Sequence, residues 1–375
     1  MTKLSGMTWR HPRGYDPMVE TSRKWMQKTG VEIAWDQRSL QDFESFPVKE
    51  LARQYDLIVI DHPHVGQITD EGCLVALDTP SRRSELDEMS RNSVGPSFKS
   101  YNWRGRQWAF PIDAAAQVQA WRPDIMETPL TQWDDVLDMA REGRIVLPLR
   151  EPHALMCFFT LAANIGTPCA ADGGADMIGL DAGVRALDLL AELLPFLDDA
   201  NFEMDPIAAS EAMAAEGSRL AVMPLGYGYV SYSLNGFRPH RLRFANIPVA
   251  GTEGPTGSAI GGTGIAVSAL RQHADLATDY AFWVASSEVQ HTLYPSAGGQ
   301  PAHAAGWEDD IVNATTRNFY RSTRSTLEHG WLRPRHNGYM TFQQSASRRL
   351  TEGLREKHSP RSIIADLNTL FRESF

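Results

Sequence analysis

The chain has 375 residues, too many for one ordinary core and the right number for two domains. Hydrophobic residues make up 42% and charged residues 22%, a folded globular composition that argues against disorder, collagen and coiled coil. Lys and Arg total 36 against 46 Asp and Glu; a net charge of −10 with no concentrated basic stripe argues against nucleic acid as a partner.

No apolar run approaches the length of a membrane span. Cys73, Cys157 and Cys169 cannot all pair and show no CxxC spacing, which argues against a disulfide scaffold and against structural zinc. The first residues carry one positive charge and no apolar stretch of the signal-peptide kind. The expected location is periplasmic if a leader was removed, and cytoplasmic if Met1 is the native start.

In chain order, residues 4–9 read as a strand. Asp16-Pro17 reads as a helix start, an N-cap acceptor before a ring preset for the first turn, with Met18, Trp25 and Met26 on one face and Gly30 as the stop. Residues 31–35 alternate as a strand, and 50–53 end a helix. Leu57-Ile-Val-Ile60 between Asp56 and Asp61 is the run of a strand buried on both faces, hence a parallel sheet. The strand–helix–strand order predicts an α/β fold. In such sheets ligands sit beyond the carboxyl ends of strands, so Asp61-His-Pro-His-Val-Gly66 is the first candidate for chemistry.

Further on, 101–105 is a turn, 106–111 a short strand, and 112–121 a longer strand that could cross between domains. Thr131 to Asp134 resembles a loose capping box opening a helix with Trp133, Val136, Leu137 and Ala140. Strands are expected at 145–149, 220–225, 245–249 and 264–267, helices at 154–165, 183–197 and 274–287, and a Gly-rich loop at 255–263. Ser359-Pro360 opens a last helix with Ile363, Ile364, Leu367, Leu370 and Phe371 on one face.

Six segments in order carry a resemblance: YDLIVIDHPHVGQITDEGCLVALD (55–78), NWRGRQWAFPIDAAAQVQAWRPD (102–124), TQWDD (131–135), GGTGIAVS (261–268), GGQP (298–301) and WLRPR (331–335). Together the chain resembles the family 1 extracellular solute-binding proteins of ABC importers, relatives of the maltodextrin-binding proteins. The resemblance implies a periplasmic-binding-protein-like (type II) α/β fold with two lobes, a ligand cleft and a hinge. It implies lobe 1 as 1–112 plus about 250–300, lobe 2 as 113–249 plus about 301–375, and hinge segments near 112–115, 250–261 and 299–302. It also implies a monomer without cofactor, whose partners are a small solute and ABC permease subunits.

Candidate contacts follow. Trp9, Trp35, Trp121, Tyr227 and Tyr229 fall at or near predicted strand ends, where a ring could stack on a sugar or pack in the core. His62 and His64, at i and i+2, point the same way in an extended segment, but no HExxH or comparable third-ligand spacing accompanies them. A polar contact to solute and a structural loop both remain open for them, and His11 stands in a similar loop. Asp16, Asp61 and Asp113 could accept solute hydroxyls, although N-capping already explains Asp16. Arg13 and Arg150 could clamp a carboxylate or phosphate, or be solvated on the surface. Gly261, Gly262 and Gln300 lie in the hinge segments that the resemblance implies. Gly261-Gly-Thr-Gly264 lacks the spacing of a nucleotide loop, no GxSxG is present, and Cys157 reads as inert core. Two functions result: capture of a carbohydrate or polyol by hinge closure for delivery to an ABC importer, or a cytoplasmic enzyme or sensor on the same scaffold using the His/Asp cluster.

Overall fold

The strand expected at residues 4–9 is β1 in a computed structural model that describes residues 2–40, 42 and 47–375. The strands named here are β1 (Lys3–Trp9), β2 (Glu32–Arg38), β3 (Leu57–Ile60), β4 (Asn102–Trp103), β5 (Arg106–Gln107), β6 (Phe110–Trp121), β7 (Val222–Tyr227), β8 (Arg243–Ala245) and β9 (Ile260–Val267). By its contacts the chain divides into two units. Unit 1 is Met1–Ala114, Gly261–Asn313 and Arg335–Asn337; unit 2 is Ala115–Ile260, Ala314–Pro334 and Gly338–Phe375.

In unit 1, β1 pairs in parallel with β2 from Lys3↔Glu32 to Trp9↔Arg38, and with β3 at Gly6↔Leu57 and Met7↔Ile58. The sequence run at 57–60 is buried throughout, as a strand covered on both faces must be. Its other neighbour, β9, runs antiparallel, with Gly264 opposite Ile60. Helix Pro12–Thr29 buries Met18 and Trp25 against Tyr280 and its neighbours, and Gly30 in the left-handed conformation ends it. The short segment Arg335–Asn337 is tied to this unit by Arg335, which donates to the carbonyls of Lys99, Ser100 and Asn102.

In unit 2, the later part of β6 pairs antiparallel with β7 and β8. The core combines helix His153–Asn164, buried along its whole length, with the last helix, Pro360–Glu373. Ile363, Ile364, Leu367 and Phe371 are buried there as the 3.6-residue spacing requires.

Several expectations are corrected. The first helix begins at Pro12, not at Asp16: His11 Nδ1 accepts the Arg13 N–H, Pro12 presets the first turn, and Pro17 lies inside the helix. Met26 is half-exposed rather than on the buried face. Helix Trp133–Arg141 has no side-chain cap; the Thr131 backbone is drawn instead into pairing with Val249. Residues 145–149 form no strand, because their backbone bonds divide between Val222 and Asn201. The expected strand at 245–249 falls at Arg243–Ala245, the helix expected at 183–197 ends at Ala191, and β9 starts at Ile260 inside the expected loop.

Candidate functional site

Because β1 and β3 are adjacent and parallel, their carboxyl ends open on the same edge of unit 1. β1 ends at Trp9 and leads to His11; β3 leads to Asp61, His62 and His64. Asp61 accepts the His62 N–H at 2.8 Å and caps the turn His62–His64. The antiparallel register that sets Gly264 against Ile60 puts Gly261 and Gly262 just past the same edge. Asp61, Gly261 and Gly262 are partly accessible, whereas His62 and His64 are buried. His62 stands edge-on to Tyr101, whose hydroxyl donates to the Ile60 carbonyl at 3.1 Å.

Arg13, expected either to clamp an anionic ligand or to be solvated on the surface, is buried. Its Nε donates to Asp113 Oδ2 at 2.8 Å, and a second nitrogen donates to Oδ1. Asp113 is itself buried, so its carboxylate is engaged by Arg13 rather than presented outward. Burial raises the Asp113 pKa, against the pull of Arg13. Gln300 holds the start of β6: its Nε2 donates to the Ala114 carbonyl at 2.8 Å, and its own carbonyl accepts the Ala114 N–H. Trp9 is 2% exposed and lies flat on the first helix turn, where a Cβ on Gly14 would stand 2.4 Å from its ring. Trp35 is core: its indole N–H donates to Ser22 at 2.7 Å. Asp16 borders a cavity of about 470 Å³ with Tyr15, Val19, Glu20, Ser296 and Ala297, and partial desolvation of its otherwise exposed carboxyl raises its pKa.

Unit 2 holds the other candidates. Tyr227 ends β7 partly accessible, edge-on to His153 with ring centroids 6.2 Å apart. Tyr229 is buried just beyond it. Trp121 is buried beneath Arg243 and borders a cavity of about 630 Å³. Cys157 is inert: burial pushes its thiol up to about 12. The sequence reading puts a helix at 154–165 and gives His153, just before it, no role. The first-turn position after Glu151-Pro152 was the available signal. Among the described residues, no group of three His, Cys, Asp or Glu side chains is arranged to hold a metal ion, and no helix is long and apolar enough to cross a membrane.

The model of a family described as bacterial extracellular solute-binding protein matches residues 22–310. Among solved structures, the chain is similar to maltose-bound MalE3 of T. maritima, with a TM-score of 0.84 at 14% identity over 100% of both chains. It is similar to an ABC transporter solute-binding protein of Thermotoga lettingae bound with alpha-D-tagatose, with a TM-score of 0.83 at 14% identity over 100% of both. A third, from Agrobacterium radiobacter in complex with ribitol, has a TM-score of 0.78 at 17% identity, covering 100% of this chain and 99% of that one. At these identities the likeness establishes the fold, the α/β architecture of the solute-binding proteins.

Proposed function

The chain belongs to the bacterial extracellular solute-binding protein family, and from that premise we propose that it captures one small polar solute, a carbohydrate or polyol, and hands it unchanged to the permease subunits of an ABC importer. It works as a monomer in the periplasm. Capture proceeds by hinge closure, with the segments near 112–115, 250–261 and 299–302 as the hinge. Closure is a population shift: solute favours the shut form because only that form offers it all of its contacts.

The observation that carries this reading is the shared edge of β1 and β3 in unit 1. Asp61 after β3, and Gly261 and Gly262 at the start of the neighbouring β9, are partly accessible at that edge. A carboxylate accepts two hydroxyls, and a backbone without side chains lets a ring approach closely. Taken by itself, Tyr227 of unit 2 is a partly accessible aromatic ring of the kind that stacks on sugars. The ligands bound by the similar proteins, maltose, tagatose and ribitol, are of this class.

A thermal-shift screen with mono- and oligosaccharides, polyols and sugar acids tests it. A ligand of the folded state raises the midpoint as its concentration exceeds its dissociation constant. The expected result is a shift for one compound class, with the compound recovered unchanged. Conversion of the compound, or no shift anywhere in the panel, would contradict the proposal.

A further inference from the structure

Unit 2 holds a cavity of about 630 Å³ that solute capture does not use. All of its lining residues belong to that unit, and Asp61, Gly261, Gly262 and Tyr227 are not among them. Small-molecule sites span about 300–1,000 Å³, so the volume suits one.

Its apolar wall is held by dedicated hydrogen bonds. Buried Gln119 pins Leu130 by both backbone groups: Oε1 accepts the Leu130 N–H at 2.9 Å, and Nε2 donates to the Leu130 carbonyl at 2.8 Å. The Val249 N–H donates to the Thr131 carbonyl at 3.0 Å. Buried Asn164 donates to the carbonyls of Gly254 and Thr256, each at 2.9 Å, and so fixes Pro255 between them. Leu130, Val249 and Pro255 all line the cavity.

The same cavity holds a cation that the chain leaves unpaired. Arg243 lines it half-buried, stacked on the Trp121 ring at 5.2 Å. Among the described residues its guanidinium makes no ion pair and no hydrogen bond. The stack holds the planar fork in place and leaves its N–H edge free to donate. A second donor comes from β8. The Arg122 N–H bonds to the Ala221 carbonyl at 2.9 Å, so even-numbered residues at this end of β6 bond towards β7 and odd-numbered ones towards β8. Trp121 lies opposite Arg243 and Gln119 opposite Ala245, so Phe244 between them turns its N–H and C=O to the outer edge, which no other described strand pairs. Its ring is buried against Phe319, and it is the Phe244 backbone that borders the cavity. Glu127 is the acidic side chain on the lining; it is exposed and makes no ion pair among the described residues.

An unpaired guanidinium and a free backbone N–H beside a fixed apolar wall suit a carboxylate that carries an apolar body. We propose that this cavity is a second ligand site, which takes a small monocarboxylic acid with an aromatic or branched aliphatic body. Arg243 donates to the carboxylate with the help of the Phe244 N–H, and the body lies on Leu130, Val249 and Pro255. The site is additional to solute capture and does not depend on it.

Calorimetric titration of the full chain tests this with benzoate, phenylacetate and isovalerate, each against its neutral primary amide. Arg243→Gln, Arg243→Lys and Glu127→Gln accompany the wild type, with circular dichroism to show that each is folded. No carboxylate depends on Arg243, so its replacement orphans none. The expected result is one acid bound per chain about tenfold or more tightly than its amide. Arg243→Gln should erase that preference. Arg243→Lys, which keeps the charge but not the planar fork, should retain part of it. Glu127→Gln should preserve or strengthen it, because a negative charge leaves the lining. Equal affinity for acid and amide, a preference that survives Arg243→Gln, or no binding by any of the three acids overturns the proposal. So does a loss in Glu127→Gln as large as that in Arg243→Gln. Each of these outcomes leaves solute capture standing, because the thermal-shift panel of sugars and polyols tests that separately.

Discussion

Arg13 and Asp113, a hundred residues apart in sequence, form a bidentate ion pair buried within unit 1. One partner sits in the first turn of helix Pro12–Thr29 and the other in the start of β6, so the pair fastens the loop after β1 to the strand that leads out of the unit. Removing one charge leaves the other buried alone. Arg13→Met or Asp113→Leu is expected to cost about 3–5 kcal/mol in urea unfolding, and the double variant to recover most of that loss. Additive losses in the double variant would show that the two residues stabilise the unit separately.

Trp9 rests on Gly14, and a Cβ there would stand 2.4 Å from the indole. Gly14→Ala must therefore push the ring out of its seat. The expected cost is about 1–3 kcal/mol, with a change in tryptophan fluorescence and weaker solute binding because the His11 turn moves with it. Unchanged emission and stability would mean that the helix start is looser than its packing indicates.

His153 sets an acid limb on stability. Its pKa is lowered to about 4 in the folded chain, against an ordinary 6.5. Between those values the unfolded chain binds the extra proton, so stability rises with pH there and is lost as pH falls from about 6.5 towards 4. The total is about 3 kcal/mol. His153→Phe should flatten that limb in pH-dependent unfolding and leave stability near pH 7 equal or higher. An acid limb of unchanged steepness would assign the loss to other groups.

The last helix closes the core of unit 2, where Leu367 is fully buried beside Ile363 and Phe371. Leu367→Ala should lower unfolding stability by about 2–5 kcal/mol through lost burial and the cavity left behind. A loss well under that range would place this helix outside the cooperative core.

The α/β character was legible because burial leaves a mark on composition. The run 57–60 could only be a strand covered on both faces, and 360–373 could only be a helix with one apolar stripe. Element ends were less legible where one residue serves two roles. Asp16-Pro17 has the chemistry of a helix start, but His11-Pro12 has it one turn earlier and prevails. Residues 145–149 look like a strand, but their partners are a side chain and two separate backbone segments, which no local pattern reveals.

Of the candidate site, the loop after β3 was legible from strand order alone. The engagement of Asp113 by Arg13 was not, because it depends on a contact a hundred residues away. Neither was the burial of His153, which exists only once its helix is folded and packed.

The central claim is that this chain holds a small polar solute and does no chemistry on it. Native mass spectrometry tests that most directly, on the chain incubated with a mixture of sugars, polyols, sugar acids and sugar phosphates. The account predicts one added solute mass per chain and the same mass released on denaturation. A chain that gains no mass, or that releases a compound of altered mass, would contradict it.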